Sequence, residues 1–360
     1  MTIRISSPED LLAALPYQVG FHPRDSIVVM TLRQGAVCFT ARVDLPESFA
    51  DADVHARAFT TRLRYAAAQA GGDTVVIIAY GDSGLARASL LAVGDSLSQA
   101  GLRILMSALV AGDQWRELGA GEPRHWGLWR DLPAAGNSPC VAEFVGRGYG
   151  VAPDRASSLE ALRPRPWTGL LPGARECTQP VQAATEWRQF FRLGPPDEPD
   201  GWEPSPQVAL RLGRSLLDRD FRDALIALLV PGTIPLADLP VPALERARLL
   251  VGGALTPPLT RPSQPPWHPQ SWLAARTGTI LARFISVART CPAPVSAGPY
   301  AVCALLAGAS GTGHLCSAAV TAALIADPDH VLAGLLQQLL DHGLLPGHPV
   351  AGRPPGVGAA

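Results

Sequence analysis

The sequence predicts an α/β protein in which an N-terminal mixed sheet, formed by a β-hairpin and a βαβ crossover, is covered by helices and followed by a mostly α-helical C-terminal half. Three observations support this. Two apolar, β-branched runs, 26–32 and 36–45, flank a short connector that contains glycine, which is typical of a tight hairpin. Two more apolar runs, 74–80 and 102–110, alternate with helical patterns. From residue 180 onward, segments with helical spacing follow one another.

The hairpin organises the first half of the chain. Its second run alternates between an apolar face and a face of polar or small side chains. The apolar set is Val37, Phe39, Ala41, Val43 and Leu45, and the opposite set is Cys38, Thr40, Arg42 and Asp44. Because so apolar a hairpin must bury one face, we expect the elements that follow to pack against it.

The other elements of the sheet follow in order. A helix is expected over 7–15, since Ser7 can cap it, Pro8 suits its first turn and Pro16 ends it. An alanine-rich helix covers 51–70 and ends at two glycines. The run TVVIIAY at 74–80 predicts a strand buried on both faces, followed by a helix over 85–100 and a second buried strand over 102–110. These two strands are expected to form a right-handed parallel crossover.

Residues 112–139 break this pattern, because Trp115, Trp126 and Trp129 lie among glycine, proline and charged residues. We expect a long irregular loop over the sheet edge, whose tryptophans either close over a ligand as a lid or fix the loop to the body. The apolar segment 141–145 is either a last strand or the start of a helix.

The second half is predicted to be helical. Helices are expected over 180–193, 207–230, 241–255, 271–290, 300–307, 314–326 and 329–343. A segment rich in proline and glycine at 163–173 indicates a boundary, so we predict an α/β domain over 1–165 and a helical domain over 166–345. We also expect a stiff proline-rich connector at 256–269 and a disordered tail over 346–360.

Both ends of the chain resemble one known family. SSPEDLLAALPYQVGFHPRDSIVVM, followed by GAVCFTARVDLP, resembles the start of an actinobacterial family catalogued as domain of unknown function 4192. The segment 316–346, CSAAVTAALIADPDHVLAGLLQQLLDHGLLP, resembles its helical end. The resemblance implies that nearly the whole chain is one family member, and it implies no activity, cofactor or catalytic residue. Many members have a cysteine-rich stretch after the third strand, whereas residues 114–139 here contain no cysteine, so no metal or disulfide role carries over to that stretch.

Composition argues against several classes of function. The net charge is −1 over 360 residues, lysine is absent and the arginines are scattered, whereas nucleic-acid binding usually leaves a clustered basic face. The first residues, MTIRISSPEDLL, lack a basic region followed by an apolar core, so we expect no secretory signal and a cytoplasmic protein. The uncharged segment 291–326 is divided by prolines and glycines into pieces shorter than the roughly 20 residues that span a bilayer, and we interpret it as a buried helical hairpin.

No metal or cofactor site is predicted. The 6 cysteines are widely spaced without a CxxC pair, which is typical of small buried apolar residues in a cytoplasmic protein. His314 and Cys316 are two residues apart and therefore lie on different faces of a helix, unlike paired metal ligands.

The best-placed candidate site follows the third strand. Asp82, Ser83 and Gly84 lie where that strand ends and a helix begins, and Asp113 follows the next strand. Ligands of open α/β sheets bind beyond the carboxyl ends of the strands, where helix N-termini offer free N–H groups. Gly-Asp-Ser-Gly is equally good turn-and-cap chemistry that needs no ligand.

Two other groups of polar residues precede that site. Arg42 and Asp44, two apart on the polar face of the second strand, either bind an anion in a cleft or are solvated or paired across strands. His22, Asp25 and Ser26 combine the residue types of a catalytic triad, but His22 and Ser26 flank a proline turn that would point them apart. We therefore expect Asp25 or Ser26 to set the turn.

Two classes of function stay open. The first is a non-catalytic binding or regulatory protein, whose helical half docks a protein partner or whose sheet rim holds a small ligand. The helix, Asp-Pro turn and helix over 314–340 are similar to half of a tetratricopeptide-type repeat. The second is a small-molecule hydrolase or transferase that uses Asp82, Ser83 and Asp113 at the rim. The first class is favoured, because the sequence shows no combination of nucleophile, base and metal ligands that the formation of turns does not explain equally well.

Overall fold

A computed structural model describes residues 7–33, 36–70, 72–119, 125–133, 136, 138–146, 151–168, 173, 179–193, 201–255, 269–310, 312–342, 344 and 346. The chain divides into two compact units, formed mainly by residues 1–158 and 159–341. The domain limits predicted at 165 and 345 stay a prediction. Of the connector predicted over 256–269, residues 256–268 lie outside the described residues, while Pro269 begins a helix. Of the tail predicted over 346–360, residues 347–360 lie outside the described residues.

The first unit contains a six-stranded mixed sheet. Its strands are β1 (Ser26–Arg33), β2 (Ala36–Asp44), β3 (Thr74–Tyr80), β4 (Arg103–Ala111), β5 (Gln114–Glu117) and β6 (Arg130–Asp131). The order across the sheet is β2-β1-β3-β4-β5-β6. Among the six strands formed by described residues, β3 and β4 pair in parallel and every other neighbouring pair is antiparallel, so β1 is antiparallel to both β2 and β3. This confirms the predicted hairpin and the βαβ crossover.

Helices cover both faces of the sheet. The helices of this unit are α1 (Pro8–Val19), α2 (Ala52–Ala70), α3 (Gly84–Gln99), α4 (Pro139–Gly146) and α5 (Arg155–Glu160), with a short 3-10 turn at Phe49–Asp51. Helix α1 lies on one face of the sheet, α2 and α3 lie on the other, and α4 packs against α1. Leu15 of α1 belongs to the core that contains Met30 and Ile78. Leu90 of α3 belongs to the core on the other face, with Ile27 and Ile77. Alternate residues of β1 and β3 therefore enter two separate cores, which explains why both runs are apolar throughout.

Two local predictions in this unit are wrong. Pro16 does not end α1, which continues to Val19 and closes at Gly20 in the left-handed conformation, with the N–H of Gly20 donating to the Pro16 carbonyl at 2.7 Å. The missing N–H of proline is tolerated here, within the last turn. Val37 does not share a face with Ala41 and Val43, because a register shift at Thr31/Leu32 moves it to the α1 side.

The described residues of 112–139 do not form one long irregular loop, so this prediction is wrong. They contain β5 and β6, and an isolated bridge pairs Leu118 with Trp126. Trp115 is fully buried on the α1 side of the sheet. The segment 141–145, for which a strand and a helix were both open, lies within helix α4.

The second unit is helical. Its helices are α6 (Ala184–Phe190), α7 (Pro206–Ser215), α8 (Arg219–Leu229), α9 (Val241–Leu255), α10 (Pro269–Thr290), α11 (Ala297–Ala309), α12 (Gly313–Ala326) and α13 (Val331–Asp341). The single helix predicted over 207–230 is in fact two, because the Asp218 carboxylate accepts the N–H of Phe221 and begins α8. Helix α11 is buried from Ala297 to Gly308, whereas only Cys316, Ala319, Val320 and Ala323 of α12 are buried. The predicted helical hairpin over 291–326 is therefore present, but only its first helix is buried throughout.

Candidate functional site

The candidate residues predicted from the sequence lie along one end of the strands, at the carboxyl ends of β3 and β4, and this end is called the sheet edge below. The register places Asp44, Ser26, Tyr80 and Val110 in one row across four strands. Asp82 and Ser83 leave the sheet just beyond Tyr80, and Asp113 leaves it just beyond Val110. Because neighbouring strands are about 4.8 Å apart, Asp44 lies about 14 Å from the end of β4. The six predicted residues share an edge, but they form separate groups along it.

The turn after β3 is built for capping. Ser83 Oγ accepts the N–H of Ala86 at 3.3 Å and so closes the first turn of α3. Gly81 has a φ of 143°, and a Cβ there would lie 3.3 Å from Asp25 Oδ1, so this turn requires glycine. Asp82 is exposed, and its carboxylate makes no hydrogen bond or ion pair within the described part of the chain.

Arg42 and Asp44 form a pair. Arg42 Nη2 lies 2.7 Å from Asp44 Oδ1 and donates to the Arg24 carbonyl at 3.2 Å, while its guanidinium lies 5.5 Å from the ring centroid of Phe21. Asp44 Oδ2 also lies 3.4 Å from Arg155 Nη1. These contacts tie β2 to the segment before β1 and to α5. They occupy donors that a bound anion would otherwise use.

Gly112 and Asp113 form the two-residue turn of the hairpin between β4 and β5. Gly112 has a φ of 58°, which suits glycine in so short a connection. The carbonyl of Asp113 accepts the N–H of Leu132 at 2.7 Å, and the side chain is exposed. The backbone of Asp113 therefore has a structural role at the same edge as Asp82.

His22, Asp25 and Ser26 are not joined by any hydrogen bond between their described side chains. His22 is exposed, and its backbone N–H donates to Ala152. Asp25 adopts a positive φ of 41°, and its carbonyl accepts the N–H of Leu45. Ser26 is fully buried, and its Oγ has no hydrogen-bond partner among the described residues. A serine closed off from solvent is poorly placed to act as a nucleophile.

A charged cluster that sequence reasoning missed lies on the α3 side of the sheet. Arg116 of β5 contacts two indoles, with its guanidinium carbon 4.4 Å from the ring centroids of both Trp126 and Trp129. Arg87, in the first turn of α3, lies 5.8 Å from the ring of Trp126. The only sequence signal was the concentration of tryptophan and arginine in residues 115–130, which did not predict that Arg87 would join them.

Helix α13 of the second unit has an apolar stripe on its exposed side. Val331, Leu335 and Leu339 recur every four residues and are 66%, 51% and 38% exposed. On the opposite side of the same helix, Ala333 and Leu336 are buried in the core. This helix is therefore apolar on two faces, only one of which is covered within the described chain.

A groove of 310 Å³ lies between α6 and α9. Its charged side chains are Arg188, Glu245 and Arg246. Arg246 Nη2 donates to Asp218 Oδ2 at 2.5 Å. Burial alone would raise the pKa of Asp218, but the hydrogen bonds from Arg246 and from the Phe221 backbone outweigh it, so the pKa is lowered. The groove thus contains charges of both signs, and the positive charge of Arg246 is already paired with the carboxylate of Asp218.

A protein-family model described as Domain of unknown function (DUF4192) matches residues 8–239 and 271–347. The chain belongs to this family. No curated protein and no solved structure matches it. In this DUF4192 protein the matched ranges include the sheet edge, the Arg116 cluster and α13, whereas helix α9, which forms one wall of the groove, lies in the interval between them.

Two further findings describe the DUF4192 chain. Within the described residues, no three His, Cys, Asp or Glu side chains are grouped so that they could hold a metal ion. Among the described helices, none is both long enough and apolar enough to cross a membrane.

Proposed function

We propose that this DUF4192 protein is a non-catalytic binding protein of the cytoplasm that engages a protein partner through the exposed stripe of helix α13. The observation that carries the proposal is the spacing of Val331, Leu335 and Leu339 on a helix whose other apolar face is already packed. Apolar residues four apart on one helix are the anchors used when two helices pack against each other. Contiguous exposed apolar surface of this kind marks interaction sites.

The charge around the stripe indicates what the partner presents. From residue 290 to residue 346 the sequence contains no arginine, lysine or glutamate, and its formally charged residues are Asp327, Asp329 and Asp341. Asp329 and Asp341, which flank the ends of α13, are exposed. A complementary partner is an amphipathic helix with an apolar stripe bordered by lysine or arginine.

The stripe is large enough to matter energetically. Burying a fully exposed valine or leucine side chain contributes about 1.5–3 kcal/mol. Since the three side chains are on average about half exposed, the stripe offers about 3 kcal/mol before the costs of association are subtracted. The aspartates add orientation and a faster encounter more than affinity.

The test compares two matched leucines. Leu335→Asp places a charge in the stripe, and Leu249→Asp places the same charge at a leucine of α9 that is 82% exposed and lies outside it. We expect a partner that co-purifies with the wild type and with Leu249→Asp to be lost from Leu335→Asp. A synthetic peptide of the partner's basic helix should then bind Leu335→Asp at least about tenfold more weakly.

Three outcomes would contradict the proposal. They are retention of the partner by Leu335→Asp, equal loss in both variants, and a partner without a basic amphipathic helix. Light scattering identifies the case in which a second copy of the chain covers the stripe, because the wild type would then be a dimer and Leu335→Asp a monomer. Asp82→Ala serves as the control for the sheet edge and is expected to leave partner binding unchanged.

A further inference from the structure

The stacking of Arg116 determines which of its atoms can bind a ligand. The guanidinium carbon lies over the rings of both Trp126 and Trp129, 4.4 Å from each centroid, so two indoles hold the group by cation–π contacts. Its Nε is inaccessible to solvent and has no acceptor, and its Nη groups donate to no acceptor in the described part of the chain. The donors that a ligand can use are therefore the N–H groups of the two Nη atoms, which lie in the plane of the guanidinium.

The cluster concentrates positive charge without neutralising it. Burial, and then the charge of Arg87, lower the pKa of Arg116. Neither arginine forms an ion pair with a described carboxylate. An arginine stays protonated at neutral pH even so, and the two positive charges near one indole repel each other, so a bound anion would offset that repulsion. The described side chains of the cluster carry a net positive charge, which favours the binding of a negatively charged group.

We infer that Arg116 and Arg87 bind the oxyanion of a small molecule, a phosphate or a carboxylate, with Trp126 and Trp129 holding Arg116 in position. A planar guanidinium fixed by stacking presents two parallel N–H donors to two oxygens of one oxyanion. Arg87, at the start of α3, supplies the second positive charge. This site lies in a different unit from the α13 stripe and does not depend on the proposed function.

The surroundings narrow the ligand further. Trp129, which contacts Arg116, is exposed, and so is Leu128, its neighbour in the sequence; an apolar or aromatic group attached to the oxyanion therefore has apolar surface to contact. Two arginines are too few for a polymer of phosphates, which requires an extended basic face. The expected ligand is therefore a monomeric organic phosphate or carboxylate.

The test uses four probes: inorganic phosphate, phenyl phosphate, benzoate and a single-stranded oligonucleotide, each compared with sodium chloride at the same ionic strength. The readout is the indole N–H signals of Trp126 and Trp129 in two-dimensional NMR, assigned with a Trp→Phe substitution at each. We expect saturable shifts of both signals with at least one oxyanion, and tighter binding of phenyl phosphate than of inorganic phosphate. A response to benzoate alone assigns the site to carboxylates.

Variants separate specific binding from screening. Arg87→Gln changes an exposed side chain and is expected to weaken binding at least about tenfold, while Arg57→Gln, an exposed arginine of α2, is expected to have no effect. Arg116→Gln should abolish binding, and Arg87→Gln keeps the test decisive if Arg116→Gln does not fold. The inference is overturned if no probe gives shifts beyond those of sodium chloride, if both Arg→Gln changes at positions 57 and 87 act alike, or if only a single-stranded oligonucleotide binds.

Discussion

Replacing Arg283 with methionine is expected to destabilise the helical unit strongly. Arg283 lies on α10 and is only 4% exposed. Its Nη1 donates to the backbone carbonyls of Gln189, Phe190 and Arg192. These carbonyls lie at the C-terminal end of α6, where the last C=O groups of a helix have no partner within it. A positive charge is also favoured at that end by the helix dipole, so Arg283 closes α6 from a different helix.

The magnitude follows from what methionine leaves behind. It keeps an unbranched apolar stem but provides no donor. An unpaired buried acceptor costs about 1–3 kcal/mol, and a hydrogen bond to a charged group contributes about 1.5–3 kcal/mol. Because one guanidinium serves all three carbonyls, we expect the free energy of unfolding to fall by about 3–4 kcal/mol. In a unit of this size each kcal/mol lowers the midpoint by about 2–4 °C, which predicts a decrease of about 6–16 °C.

Thermal unfolding followed by tryptophan fluorescence is a suitable assay, because Trp202 lies 5.3 Å from the guanidinium of Arg283. Arg283→Lys keeps the charge but loses the planar fork, and is expected to fall between the wild type and the methionine variant. Arg188→Met alters an exposed arginine and should change stability by less than about 0.5 kcal/mol. If Arg283→Met unfolds within about 2 °C of Arg188→Met, the carbonyl contacts do not stabilise the fold and the reasoning is wrong.

Gly213→Ala on α7 is expected to cost about 1–3 kcal/mol, because its Cβ would lie 2.7 Å from the nearest side-chain atom. Gly278→Ala on α10, where no described atom lies within 4 Å of the added Cβ, should instead stabilise by about 0.5–1 kcal/mol. Urea denaturation of the two variants checks both signs. Burial lowers the pKa of His330, whose Nδ1 accepts the N–H of Ala333 at 3.2 Å and caps α13. The folded state favours neutral imidazole, so this stabilisation is complete above the ordinary pKa of about 6.5 and is lost as the pH falls from there through the lowered folded value. His330→Asn should flatten the stability profile over that range, and an unchanged profile would contradict this role.

The central strands were predictable because burial leaves few alternatives. TVVIIAY is apolar at every position, and the observed strand covers the same residues, 74–80. The last two strands were not predictable in the same way, since β5 has four residues and β6 has two. Neither is long enough to show an alternation of its own. They form because β4 offers an unpaired edge, which is a property of the assembled sheet rather than of the local sequence.

The candidate sites, too, could be predicted from the sequence only where they depend on local structure. The sequence placed Ser83 at the start of a helix and Asp113 after a strand, and both lie there. Their separation from Asp44 depends on β1 lying between β2 and β3, which was not part of the prediction. Arg87 and Arg116 are brought to one indole by the β3–α3–β4 crossover and the hairpin that follows it. Patterns along the chain do not show such a meeting.

The two proposed binding sites depend on different interactions in different units of the protein. The α13 stripe needs apolar contact in the helical unit, and the Arg116 cluster needs positive charge in the α/β unit. If the two sites are independent, Arg87→Gln should weaken only oxyanion binding and Leu335→Asp only partner binding, and the double variant should show each loss unchanged. A regulatory role requires, in addition, that the two sites are coupled. The oxyanion must then change the partner's affinity by some factor, and the partner must change the oxyanion's affinity by the same factor, because coupling between two binding sites is reciprocal.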